Sequence, residues 1–204
     1  MRAINVMGAL APLFLASTAL AQPYRDDLPA PAYRLLSSML VEARGSTTLE
    51  RTGKSIELVA PLVRALDKKY GTAVEASLRR AISARDRPGA SAAITTLVLL
   101  DAQDLLDGIR RDEFTGWAEG MTRARKAYLD YALVSPELRV RFAELDRRVV
   151  AHFGQLGSHL READMTTFPE EINAARAAVD ADLVALRKAV ATAPRCAADA
   201  GEGR

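Results

Sequence analysis

Cysteine is nearly absent: Cys196 is the only one in 204 residues. No intramolecular disulfide can form, and a Cys-x-x-Cys-His haem attachment is excluded, as is a lipoprotein anchor after an apolar leader. Histidine is almost as scarce, with only His152 and His159. Neither Glu-x-x-His nor His-Glu-x-x-His occurs, which removes the di-iron bundle and zinc-protease patterns. Aromatic residues make up 5% of the chain, so any core must be largely aliphatic. An excess of one charge is missing too, since 28 basic face 26 acidic side chains. That balance predicts no strong attraction to nucleic acid or to an anionic membrane. Nothing alternates with the period of a β-strand, and no repeat of fixed period appears.

What is present begins with an apolar run. Arg2 gives residues 1–21 a short positive start, Val6 to Ala16 form an apolar centre, and Ala19-Leu20-Ala21 is a small-x-small cleavage site. This is the pattern of a signal peptide, too short to span a bilayer. The expectation is export to the periplasm, with a mature chain beginning at Gln22 and no later segment long and apolar enough to span. Residues 22–32 carry Pro23, Pro29 and Pro31 and form an extended lead-in. Residues 193–204, with Cys196 among them, have the small, polar composition of a disordered tail.

Between these ends the pattern is helical throughout. The clearest stretch is Ser135 to Leu160, with Ser135 as N-cap and Pro136 at the first helical position. Leu138, Phe142, Leu145, Val149, His152, Leu156 and His159 recur at steps of four and three, on one side of a helix roughly 35–40 Å long. Ala90 to Ile109 is apolar on most of its circumference and is expected at the centre. Trp117, Met121, Ala124, Tyr128 and Tyr131 form another seam, and the last helix packs Ile172, Ala175, Val179, Leu183, Leu186 and Val190. Before Asp86-Arg87-Pro88-Gly89, a helix from Tyr33 to about Ala43 and a second from about Thr52 make an N-terminal pair; within the second, Gly71-Thr72 resembles a C-terminal stop followed by a new N-cap, after which Val74, Leu78 and Ile82 continue at four-residue steps to about Arg85. The expected fold is all-α, an antiparallel helical bundle over 33–192 with about four long helices plus that pair. Its core should bring together Leu145, Val149, Phe153, Leu156, Trp117, Tyr128, Leu105 and Leu183.

Few residues suggest chemistry. Arg51-Thr52-Gly53-Lys54-Ser55 resembles the end of a phosphate-binding loop, but Thr48 stands where the earlier glycine is required and no strand precedes it. His152 and His159 are two turns apart on one face, about 10 Å along the axis, too far to share one metal directly. Each can join acids from a facing helix, or simply be hydrogen-bonded at the seam edge. Asp101, Asp104 and Asp107 fall at three-residue steps. Asp101 and Asp104 border the apolar stripe and can offer hard oxygen ligands, while Asp107 turns further toward solvent. Ion pairing with lysine or arginine explains the same acids. No nucleophile, base and orienting group can converge, so catalysis is not expected.

The run from Leu97 to Ala189 resembles the exported helical module that precedes the membrane part of bacterial high-affinity iron permeases, and related periplasmic iron-uptake proteins. The likeness rests on LLDAQDLLDGI, on RKAYLDYALVSPEL leading into a helix with Leu145, Val149, Phe153 and Leu156, and on a last helix of alternating Ala, Val and Leu. That family carries Phe-Glu-Pro-x-Glu-Pro where this chain has Tyr131-Ala132-Leu133-Val134-Ser135-Pro136, without either glutamate. The resemblance implies a role beside periplasmic iron or another divalent transition metal ion, with a membrane transport protein of the envelope as partner. His152, His159, Asp101 and Asp104 are then the candidate metal ligands. The other expectation is a non-catalytic helical module that docks on an envelope protein.

Overall fold

Helix follows helix through the computed structural model, which describes residues 31–109, 117–165 and 169–199. The signal-like leader and nearly all of the lead-in lie outside the described residues. The helices are Pro31–Gly45 (α1), Glu50–Tyr70 (α2), Val74–Ala84 (α3), Arg87–Asp107 (α4), Trp117–Arg141 (α5), Ala143–Met165 (α6) and Pro169–Asp199 (α7). The fold is all-α, with no strand among the described residues. α7 continues past Thr192, beyond which the tail was expected, and its alanine-rich end suits helix.

Among the described residues three helices precede α4, because the stop at Gly71 divides the second member of the expected pair. Gly71 has φ 66° and closes α2 in the left-handed conformation that glycine adopts without strain. The helix after it starts without a capping side chain of its own, because its N-cap is Ala73. Asp67 supplies the cap instead, accepting from the amides of Val74 and Glu75 and from the Thr72 hydroxyl. α2 is capped in the same borrowed way. Leu49 has no side-chain oxygen to offer, and Glu42 of α1 accepts from the amides of Arg51 at 3.0 Å and Thr52 at 2.6 Å. The Arg51–Ser55 stretch is thus a helix start already filled by the protein's own carboxylate. α4 has an ordinary cap, with Asp86 accepting from the Gly89 amide.

α4 is the central helix, as its all-round apolarity led one to expect. Ala90, Ile94, Leu97, Val98, Ala102 and Leu106 are fully buried, and α1, α2, α3, α5 and α7 all pack against it. By length and composition it is also the one described helix apolar enough to cross a membrane, contrary to the expectation that no later segment would be. Its apolar surface is covered by those five neighbours. α6 packs on α5 and α7, so contacts run round α4, α5, α6 and α7 as a ring. α4 and α5 run antiparallel, since a methyl on Gly108 would meet the Arg123 guanidinium while Asp101 faces Asp130. α5 and α6 do likewise, with Ser135 against Asp146 and Tyr131 against Phe153.

The largest departure lies at Ser135. No helix starts there: α5 runs through Pro136 to Arg141, and the chain turns at Phe142 before α6. The Ser135 hydroxyl is not a backbone cap but donates to Asp146 on the next helix. The expected core also differs by one turn on α5. Leu145, Val149, Phe153 and Leu156 are buried, but Tyr128 is 37% exposed and Tyr131 takes the interior place. Trp117 and Leu105 are half-buried against the core. The Leu183 side chain lies outside the description. Burial of a large aliphatic side chain contributes about 1.5–3 kcal/mol, so this core outweighs any set of surface ion pairs.

Candidate functional site

The acids that the sequence singles out sit along one edge of α4: Asp104 meets α2, Asp107 meets α2 and α7, and Asp101 meets α5. Asp104 Oδ1 receives Lys69 Nζ of α2 at 2.7 Å, the ion-pair account. Asp107 accepts from the Tyr70 hydroxyl at 2.7 Å and stands 3.3 Å from Lys69 Nζ and from Arg187 Nε of α7. It is less exposed than Asp104, not more, because α7 covers it. Arg187 also donates to the carbonyls of Leu106 and Ile109, so it satisfies the C-terminal end of α4. Burial works against the Lys69 ammonium, but the Asp104 bond outweighs it and holds its pKa above the ordinary value.

Asp101 has another environment. It faces Asp130 of α5, which is 3% exposed, and the two carboxyls hydrogen-bond to each other. Burial first raises both above the ordinary aspartate range; the next cause is the Asp104 charge for Asp101 and the Asp101 charge for Asp130, while the bond between the two lowers Asp101 and raises Asp130. Asp130 is raised further, up to about 8. Tyr33 of α1 is near enough that burial and then the Asp130 charge raise its hydroxyl as well.

The histidines do not join these acids. His152 Nδ1 lies 3.1 Å from Gln155 Oε1 on its own helix. His159 Nδ1 lies 2.6 Å from Asp182 Oδ2 of α7, whose side chain is 13% exposed. Asp101 and Asp104 are on α4, His152 and His159 on α6, and these helices are opposite members of the ring. Among the described residues no group of three or more His, Cys, Asp or Glu side chains could hold a metal ion.

No family model, curated protein or solved structure matches this chain. The site therefore has to be understood from its own geometry.

Besides Glu42, which caps α2, two buried acids went unnoticed in the sequence. Asp146 of α6 is 3% exposed and accepts from Ser135 at 2.6 Å, Tyr131 at 3.0 Å and Arg139 at 3.0 Å, all on α5. Burial pushes its carboxyl up, but these donors outweigh that and hold it below the ordinary value. Asp130 is the other. Its signal was available: it falls between Ala127 and Val134 on the inward side of the α5 seam, a core position occupied by an acid. Chemically, the arrangement supplies helix-to-helix ties and one pair of carboxyls with raised pKa.

Proposed function

We propose that the chain is an exported, non-catalytic helical module of the cell envelope that docks on an envelope or membrane transport protein. In this reading α4 to α7 make an antiparallel four-helix bundle, with α1 to α3 layered on α4. One observation carries it: apart from His152, which meets Gln155 on its own helix, the side chains singled out as able to bind a ligand are engaged across helix seams. Asp104 and Asp107 hold Lys69, Asp146 holds Ser135 and Tyr131, and His159 holds Asp182. Such ties favour a rigid shape presented to a partner over a site that captures a small substrate. The leader pattern of residues 1–21 supports the periplasm as its location.

Metal handling is the second reading, favoured by one feature. Asp101 and Asp130 set two hard oxygen donors face to face. The resemblance to iron-permease modules points in the same direction.

The protein isolated from its native compartment separates the two. The docking reading expects no stoichiometric metal, and recovery with an envelope protein after cross-linking. Stoichiometric iron or another divalent metal on a chain recovered alone would overturn it in favour of metal handling.

A further inference from the structure

The chain as a whole is balanced in charge, but the corner between α5 and α6 is not. Around the turn at Phe142 stand Arg139, Arg141, Arg147 and Arg148, with only Glu144 and Asp146 among them. Asp146 is buried and already accepts from Arg139, Ser135 and Tyr131, and Glu144 pairs with Arg147. Arg141 and Arg148 are exposed and meet no acid among the described residues. Two more arginines belong to the same end of the bundle. Arg44 of α1 holds Glu137 of α5 at 2.6 Å, and Arg87 at the start of α4 donates to the Arg44 carbonyl. That end therefore carries a local excess of positive charge.

Val140 stands in the middle of it, between Arg139 and Arg141. At 85% exposure it is the most exposed large hydrophobic side chain among the described residues. Pro136 and Ala132, one and two turns back on α5, are exposed as well. A lone exposed aliphatic residue is ordinary. One at a helix-to-helix corner among arginines that lack acids can be buried only where their charge is met too. An anionic bilayer surface does both, with phosphates at the level of the guanidiniums and the acyl boundary just beneath. The arginines are spread over four helices, which suits a diffuse layer of phosphates rather than one bound anion.

We propose that the α5–α6 corner is a membrane-surface contact: Val140 enters the headgroup layer of an anionic bilayer while Arg139, Arg141, Arg147 and Arg148 meet lipid phosphates. The contact is peripheral and salt-sensitive, since screening weakens every one of these attractions. It does not depend on a protein partner, so it and the docking reading can fail separately.

The test is flotation of the intact protein with vesicles of phosphatidylcholine, alone or mixed with phosphatidylglycerol, at low and at high salt. Residues 1–21 are common to the parent and its variants, so the differences between them report the corner. The parent should partition onto the mixed vesicles more than onto the neutral ones, and lose that preference in high salt. Each charge near the surface is worth about fivefold in partitioning, so Arg141→Glu with Arg148→Glu should lower it at least about twenty-fivefold. Val140→Ser should lower it several-fold, while Leu58→Ser on α2, where the side chain is also exposed, should leave it unchanged. These side chains are exposed, so the thermal midpoints should match the parent's. Equal partitioning onto both kinds of vesicle, or corner variants that bind like the parent, would overturn the proposal. Corner variants that keep vesicle binding but lose a cross-linked envelope protein would likewise overturn it and give the corner to a protein partner. A parent that binds mixed vesicles yet yields no cross-linked protein would support the contact and overturn the docking reading alone.

Discussion

Ser135 donates its hydroxyl to Asp146 across the α5–α6 seam at 2.6 Å. Tyr131, one turn away, reaches the same carboxylate oxygen. A residue placed like an N-cap and a tyrosine expected only to fill space thus combine to bury an acid. Asp146→Ala removes the acceptor and leaves both hydroxyls unpaired. The expected cost is about 2–4 kcal/mol, read from denaturant unfolding. A loss under about 0.5 kcal/mol would mean that water replaces the carboxylate without penalty.

Acid should act through the same group. Asp146 and Glu42 are both pushed up by burial but held below the ordinary carboxylate range by stronger hydrogen bonds, from Ser135 and from Thr52 respectively. A carboxyl depressed on folding contributes stability above its unfolded pKa of about 4 and loses it as pH falls through the folded value. The urea midpoint should therefore decline below about pH 4, and Asp146→Asn with Glu42→Gln should flatten that decline. An acid limb unchanged in the double variant would assign it to other carboxylates.

Val149 is fully buried on α6. Val149→Asp puts an acid there without a designed partner, at a cost of at least about 3 kcal/mol. The thermal midpoint should drop by roughly 10 °C. A midpoint within a few degrees of the parent would contradict the packing of α6.

Two helix ends make an opposed pair. Gly71 at the end of α2 and Arg85 at the end of α3 both have positive φ, 66° and 54°. Gly71→Ala should destabilise by about 1 kcal/mol, while Arg85→Gly should stabilise by a similar or smaller amount. Denaturant midpoints that moved the same way for both would overturn this view of the two caps.

The helical class was legible because Leu145, Val149, Phe153 and Leu156 keep a strict spacing. The central place of α4 followed from its broad apolar circumference. The α5–α6 turn was not legible: Ser-Pro is a strong helix-start signal, yet here Pro136 lies within α5 and Ser135 bonds to Asp146. Periodicity states which side of a helix is buried, but not which acid on it finds a partner from elsewhere. So Asp104 was singled out and proved to be ion-paired, while Asp130 and Asp146 were passed over. Capping by Glu42 and Asp67 was hidden for the same reason, because each carboxylate acts on the helix after its own.

The central claim is that the candidate ligands His152, His159, Asp101 and Asp104 serve the bundle itself. Calorimetric titration of the purified protein at neutral pH with ferrous, cupric, zinc and manganous ions tests it most directly. The account predicts no site of micromolar or tighter affinity for any of the four. Such a site, abolished by His152→Ala together with Asp101→Ala, would contradict it.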